Sequence, residues 1–441
     1  MAMTFRGGIH PPDSKNLTNE RLIEKMPLPE RVVIPLQQHI GAPAQPLVEK
    51  GDHVNKGQPL GSPGGFVSVP AHASISGEVE AVEERITPLG VKAVSIVIRG
   101  DGEDRWVDGL PENNSNWEDL SIDDLRNRIR DAGITGMGGA AFPTHVKLAP
   151  PPEKPIDCVI LNGVECEPYA TSDHRLMLER PDDILMGLRI FMKILGSKVG
   201  IVGIEGNKPD AINLLTGKVS DREDVRVTAL KVKYPQGGEK QLIKALTNRE
   251  VPVGGLPMDV GCLVQNVGTA VAVYEAITKG IPLIERVVTV TGLGIKKPSN
   301  LLARIGVPFR ELINFCGGYS DGAGKLIMGG PMMGIAQFTD EVPVIKGASC
   351  ILCLTKNEAK LDEPKPCILC GRCVSVCPIN LMPRVLGMLV TRERWDELGG
   401  YGIDSCIECG CCSYVCPSKI HLVHLMKLGK DRLRAMKKKA S

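Results

Sequence analysis

Aromatic residues are scarce in this 441-residue chain, with 3 Trp, 6 Tyr and 7 Phe making up 4% of it, while glycine is abundant at 49. That balance favours small modules joined by many turns. An excess of either charge is also lacking, since 53 Lys and Arg stand against 51 Asp and Glu for a net charge of +2. No nucleic-acid footprint and no generally acidic partner is indicated. No apolar run approaches the roughly 18 residues of a membrane-spanning helix, so the chain is expected to be soluble or peripheral. The opening MAMTFRGGIHPP has no apolar stretch of a secretory kind, and a reducing cytoplasm is the expected compartment for the fifteen cysteines. The length suits about three domains.

Eight cysteines fall in two runs of one spacing, C-x-x-C-x-x-C-x-x-x-C-P: Cys367, Cys370, Cys373, Cys377 before Pro378, and Cys406, Cys409, Cys412, Cys416 before Pro417. Three thiolates on a tight loop can each hold a corner of a cubane, while the fourth, beyond the turn, reaches the other cluster, as in bacterial two-cluster ferredoxins. One [4Fe-4S] cluster is thus assigned to Cys367, Cys370, Cys373 and Cys416, the other to Cys406, Cys409, Cys412 and Cys377. Paired zinc sites would leave the third cysteine of each run spare, and a disulfide framework suits a secreted chain. Single-electron transfer is the implied chemistry. Cys411 lies in the second run but off its register and is read as a bystander. Cys350 and Cys353 form a further C-x-x-C, whose apolar neighbours read as a strand leading into the ferredoxin module.

Upstream, residues 31–99 read as short strands punctuated by glycine turns. Within them, 48–60 and 73–79 resemble the two halves of a lipoyl- or biotinyl-type barrel-sandwich domain. The Met-Lys-Met tip that carries the cofactor there is missing, and 61–66 stands in its place, so the segment is read as a scaffold without a swinging arm. After a polar connection at 112–116, Ser121 with Asp123 and Asp124 opens a helix that sets Ile122, Leu125 and Ile129 on one face and stops at Gly133.

The next stretch carries Gly136, Gly138 and Gly139, then Phe142 and Lys147. Glycines let backbone N–H groups approach an anion closely, and a lysine one turn on can pair with it. The apolar residues 158–161 read as a buried strand, with Asn162, Glu165 and Glu167 at its end, where open α/β sheets bind ligands. Further loops before helices stand at 234–239, with Gly237, Gly238 and Glu239, and at 262–269, with Asn266 and Thr269. From 286 the texture becomes strands with one short helix, a small β-grasp.

These blocks resemble the flavin and NADH site of the flavin-bearing subunit of respiratory complex I. The order of modules resembles the C-subunit family of Rnf complexes, membrane-bound ferredoxin:NAD oxidoreductases that pump sodium ions or protons. The segment 7–11 is similar to that family as well. The resemblance implies FMN held by Gly136, Gly138, Gly139, Lys147, Asn162, Glu165, Gly237, Asn266 and Thr269, with Phe142, Glu167 and Glu239 contacting NAD(H). Three positions depart from the complex I pattern: Met137 replaces arginine, Val164 aspartate and Gly238 a glutamate. The implied partners are NAD(H), the other subunits of the complex and, through them, ferredoxin, and the implied place is the cytoplasmic face of the membrane.

The expected fold is multidomain, α/β and α+β. It comprises an N-terminal extension at 1–30, a barrel-sandwich domain at 31–110, an FMN/NADH domain at 111–285, a β-grasp domain at 286–345, and a helical two-cluster ferredoxin domain with a basic last helix at 346–441. Two rival readings share these motifs. Cobalamin reductases of bacterial microcompartments resemble the same core but place the barrel-sandwich after the clusters. An electron-wiring subunit with a vestigial flavin seat would account for the three departures.

Overall fold

The computed structural model describes residues 3–109 and 116–440. The expected boundary at 110/111 and most of the polar connection at 112–116 lie outside the described residues. The first unit is a pair of small sheets. The strands Arg31–Pro35, Lys92–Gly100, Gly77–Ile86 and His53–Val54 form one, and Gln45–Pro46, Pro59–Ser62 and Ala71–His72 the other. Val32, Ile34, Val54, Leu60, Ile75, Val79, Ile96 and Ile98 are buried with relative exposures at or near zero. The two halves seen in the sequence thus make the expected sandwich.

Ser121 caps the helix Ile122–Asp131, its hydroxyl accepting from the Asp124 amide at 3.1 Å. The flavin-type domain follows as a fully parallel sheet in the order Val225–Leu230, Val199–Glu205, Cys158–Gly163, Cys262–Asn266. The chain adds strands in one direction from Cys158–Gly163, then returns to place Cys262–Asn266 on its other edge. That reversal creates a switch point, and the crevice outside the carboxyl ends of these strands is where such sheets take ligands. Asn162 and Asn266 face each other there in register.

The β-grasp sheet corrects two expected boundaries. It has six strands in the order Ile23–Lys25, Ser299–Arg304, Glu285–Thr291, Cys350–Thr355, Ala323–Met328, Ile335–Gln337. Cys350–Thr355 is therefore an interior strand of this sheet and does not lead into the ferredoxin module. The reason is in its pattern: 350–353 is apolar and buried on both faces, which only an interior position provides. The N-terminal extension also contributes to this sheet, Ile23–Lys25 pairing parallel with Ser299–Arg304 as an edge strand.

In the ferredoxin module the short helices Arg372–Ser375 and Cys411–Tyr414 carry the cysteine runs, and Pro383–Thr391 packs against Leu422–Ala440. Leu386, Leu389, Val390, Leu398, Ile403, Met426 and Leu433 form its core. Left-handed residues recur at matching places in the two runs: Leu369 and Glu408, Gly371 and Gly410, Asn380 and Lys419.

Candidate functional site: a flavin-type seat backed by a cysteine cavity

The glycine loop folds back on itself, the Gly136 amide donating to the Phe142 carbonyl at 2.8 Å. It is tied to the helix Val267–Lys279 by the Met137 amide, which donates to the buried Thr269 hydroxyl at 2.9 Å. Gly138 lies so close to Asn266 that an added Cβ would come within 3.2 Å of that side chain. Gly139, at φ 139, has nothing within 4 Å of its Cβ position and so borders open space. Asn266 caps the helix, its Oδ1 accepting from the Gly268 amide at 2.8 Å while its Nδ2 donates to Asp173 at 2.6 Å. Across the switch point, Asn162 Nδ2 donates to the Gly237 carbonyl at 2.9 Å. Lys147 and Glu239 form an ion pair at 2.7 Å, with Phe142 half-buried just before the short helix Thr144–Lys147.

The two acidic residues of the 162–168 block behave differently from this set. Glu165, at φ 45, accepts from the amides of Asp173 at 2.8 Å and His174 at 3.2 Å, so it caps the helix Ser172–Glu179. Glu167 turns towards the β-grasp, where its carboxylate takes the amides of Met332 at 3.2 Å and Met333 at 2.9 Å. Burial pushes its carboxyl up to about 7 against those two bonds. The remaining predicted residues gather around one crevice, and Glu167 is directed away from it. A flavin mononucleotide suits the crevice, which offers an open glycine face, a helix N-terminus and two amide side chains at the switch point.

Behind Gly237 lies the second cysteine run. The Gly237 amide donates to Cys166 Sγ at 3.3 Å. Cys166 belongs in turn to an apolar cluster with Tyr234, Ile9, Met332, Cys409 and Cys411. A cavity there is lined by Cys377, Cys406, Cys409 and Cys412, with Cys411 beside them and Leu381, Leu386 and Met426 around. The first four are the thiols assigned to one cluster from spacing, Cys377 crossing over from the first run. Among the described residues no three His, Cys, Asp or Glu side chains stand close enough to share a single metal ion. A cubane is larger than an ion, and four thiols converging on one partly open cavity are the ligand set it needs. For the other set, the Lys365 amide donates to the Ser418 carbonyl at 2.8 Å and the Ser418 hydroxyl to the Pro366 carbonyl at 2.9 Å, which holds the start of the first run beside the end of the second.

The N-terminal segment closes this junction. Ile9 and Tyr234 exchange both backbone hydrogen bonds, at 2.8 and 2.9 Å, and the Gly8 amide donates to the Val376 carbonyl at 2.8 Å. Gly7 and Gly8 have φ of 81 and 78, and a Cβ would stand 2.8 Å from the Cys377 oxygen and 2.6 Å from the Tyr234 oxygen respectively. Only glycine fits there without a shift.

Several residues of the site escaped the sequence reading. Tyr234 and Cys166 form the wall between seat and cavity, and both lie inside or beside quoted motifs. Lys208 is fully buried and donates to the Val164 carbonyl at 2.7 Å, its ammonium lowered to about 8 by burial. Asp173 is pushed up to about 7 by burial, then by Glu165 beside it. Buried charge of this kind has no periodic signature, so nothing in the sequence marks it.

Family models match the chain in the same order as these units. They are an RnfC barrel sandwich hybrid domain at 3–103, a Nuo51 FMN-binding domain at 129–275, an SLBB domain at 287–336 and a 4Fe-4S dicluster domain at 366–420. Among curated proteins, the chain is 50% identical over 397 residues to the C subunit of the proton-translocating ferredoxin:NAD(+) oxidoreductase complex of Clostridium ljungdahlii, covering 90% of this chain and 86% of that one. It is 50% identical over 394 residues to the Na(+)-translocating counterpart of Acetobacterium woodii, covering 89% of each. It is 43% identical over 385 residues to the C subunit of the ion-translocating oxidoreductase complex of Rhodobacter capsulatus, covering 87% and 74%. With this identity across nearly its whole length and these four units in this order, the chain belongs to the family of C subunits of ion-translocating ferredoxin:NAD(+) oxidoreductase complexes.

Proposed function

We propose that this chain is the NAD(H)-handling electron-transfer subunit of a membrane-bound ferredoxin:NAD oxidoreductase coupled to translocation of sodium ions or protons. The observation that carries this reading is the packing of Cys409 and Cys411, which line the thiol cavity, in one apolar cluster with Tyr234 and Cys166, the sulfur of Cys166 accepting from the Gly237 amide of the flavin seat. A site for a two-electron carrier and a site for a one-electron carrier share one wall.

FMN, when bound at the switch point, supplies the exchange of a hydride with NAD(H) against single electrons. Gly136, Gly138, Gly139, Asn162, Gly237, Asn266 and Thr269 frame its seat, with Lys147 at the edge. Phe142 offers a face for the pyridine nucleotide and Glu239 an acceptor for its hydroxyls. Glu165 acts at one remove by fixing the start of Ser172–Glu179, and Glu167 holds the 332–333 turn against the second cysteine run. No side-chain acid or base is needed, so the work of these residues is orientation and exclusion of water. Among the described residues no helix is long and apolar enough to cross a membrane, and we place the chain at the cytoplasmic face through its partner subunits.

Anaerobic purification, flavin extraction and NADH titration test the reading. One FMN per chain, bleached by NADH, is the expected result; absence of FMN, or a flavin band indifferent to NADH, would sink it. Glu239→Gln is expected to slow NADH-driven reduction of an artificial acceptor with iron content unchanged, and a parallel fall in both would remove Glu239 from the nucleotide site.

A further inference from the structure

Where does the positive charge that faces the flavin phosphate come from? Between Gly133 and Lys147 the glycine loop carries no lysine or arginine, and Lys147 itself is paired with Glu239 at 2.7 Å. Behind the loop stand two cations with relative exposures of 4% and 2%, Arg286 and Lys346. Arg286 Nη2 donates to the Met137 carbonyl at 3.4 Å, Nη1 to the Lys346 carbonyl, and Nε to the Val287 carbonyl at 3.3 Å. Lys346 Nζ donates to the carbonyls of Gly133 at 2.6 Å and Pro70 at 2.9 Å. The two basic side chains therefore hold the carbonyl of Gly133, just before the glycines, and that of Met137, among them.

Among the described residues, every hydrogen bond from these two side chains ends on a backbone carbonyl, and neither forms an ion pair. The buried Asp173 carboxyl acts on Arg286 from beyond ion-pair distance, and burying a charge with so little opposite charge against it costs several kcal/mol. Carbonyl dipoles offset part of that cost, and an anion on the far side of the loop offsets more. The loop presents its open face at Gly139, and Met137 is clamped by Thr269 to the N-terminal turn of a 13-residue helix, whose partial positive charge adds to the field.

We propose that Arg286 is a positioning residue for the phosphate of FMN, supplying through the Met137 carbonyl, from the β-grasp sheet, the positive field that the glycine loop lacks. Lys346, whose ammonium burial lowers to about 7, holds the Gly133 carbonyl from the junction with the barrel-sandwich domain. The inference rests on the flavin reading above and gives the two flanking domains a part in cofactor binding.

Riboflavin, which lacks the phosphate, separates a charge effect from a structural one. The full-length protein, stripped of flavin with its clusters intact, is titrated with FMN and with riboflavin by flavin fluorescence. In Arg286→Met the FMN dissociation constant is expected to rise about tenfold while that of riboflavin changes less than about twofold. Arg286→Lys keeps most of the preference for FMN, and Met137→Arg added to Arg286→Met restores it. Equal weakening of both ligands, or no change in either, overturns the proposal. Should Arg286→Met fail to fold, Arg286→Gln, which keeps a donor for the Met137 carbonyl without the charge, decides: FMN binding is expected to weaken while riboflavin binding holds, and an unaltered preference overturns the proposal. Failure of the wild-type protein to take up either flavin would instead sink the reading of the site itself.

Discussion

The two cysteine runs share spacing, short helices and left-handed residues at matching positions, yet the fold places them differently. In the first, Cys373 and Cys377 are buried but Cys367 and Cys370 are exposed, and so are Ile368 at 67% and Leu369 at 64%. In the second no cysteine is exposed: Cys406, Cys412 and Cys416 are half-buried, and Cys409 and Cys411 are buried against Tyr234, Ile9 and Met332, all supplied by other parts of the chain. A motif repeated within one chain has thus acquired an inner end and an outer end. Spacing determines how each run folds locally, but what packs against it determines which redox partner it can reach.

The largest expected effect comes from breaking each run in turn. Cys412→Ser is expected to leave NADH able to reduce the flavin while no cluster is reduced, and acceptor reduction falls to background. Cys370→Ser is expected to lose about half the iron and keep NADH-dependent reduction of the second cluster. Iron analysis and low-temperature EPR after NADH addition read both. Equal loss in the two variants would abolish the distinction between inner and outer ends.

Chelation sharpens the same contrast without mutation. Thiolates open to solvent give up iron sooner than those enclosed by Leu381, Leu386 and Met426, so anaerobic treatment with a chelator is expected to remove iron in two phases of about equal size. The fast phase should carry off the cluster of Cys367 and Cys370. A single phase would mean that burial of the second run gives it no protection.

Much of this contrast was hidden from the sequence. The cysteine spacings, the capped helix at Ser121 and the glycine blocks were legible because each follows from local chemistry. The burial of Cys409 and Cys411 depends on Ile9 crossing to Tyr234, a contact that spans more than 200 residues. The interior position of Cys350–Thr355 was missed because a short apolar run has the same periodicity as an entry strand. Resemblance assigns Glu167 to NAD(H) contact, whereas its carboxylate serves a turn of the β-grasp. In each case tertiary packing, which leaves no local pattern, decided the outcome.

A smaller effect is expected at Gly371 and Gly410, which begin the short helices at φ 74 and 78. Alanine at either site meets the left-handed penalty of about 1–2 kcal/mol. At Gly371 nothing lies within 4 Å of the new Cβ, whereas at Gly410 the Met332 carbonyl stands at 3.1 Å. Gly410→Ala is therefore expected to destabilise its cluster by about 1 kcal/mol more than Gly371→Ala, read as the midpoint of thermal loss of cluster absorbance. The reverse order would show that the β-grasp yields freely at this contact.

The finest distinction lies at Leu369 and Glu408, matching residues that share φ 58. Asparagine tolerates this conformation better than either native residue. Leu369 is largely exposed, so Leu369→Asn relieves backbone strain at little cost and is expected to stabilise by about 0.5 kcal/mol. Glu408 instead accepts from Lys430 Nζ at 2.6 Å, and that ammonium, mostly buried, also donates to the Cys406 carbonyl at 3.0 Å. Removing the carboxylate leaves Lys430 without its counter-charge beside the second run, so Glu408→Asn is expected to destabilise by about 0.5 kcal/mol or more. One substitution at equivalent positions should then shift the midpoint of cluster absorbance in opposite directions. Shifts of the same sign would show that local backbone strain outweighs the surroundings, and the two runs would then differ less in energy than in exposure.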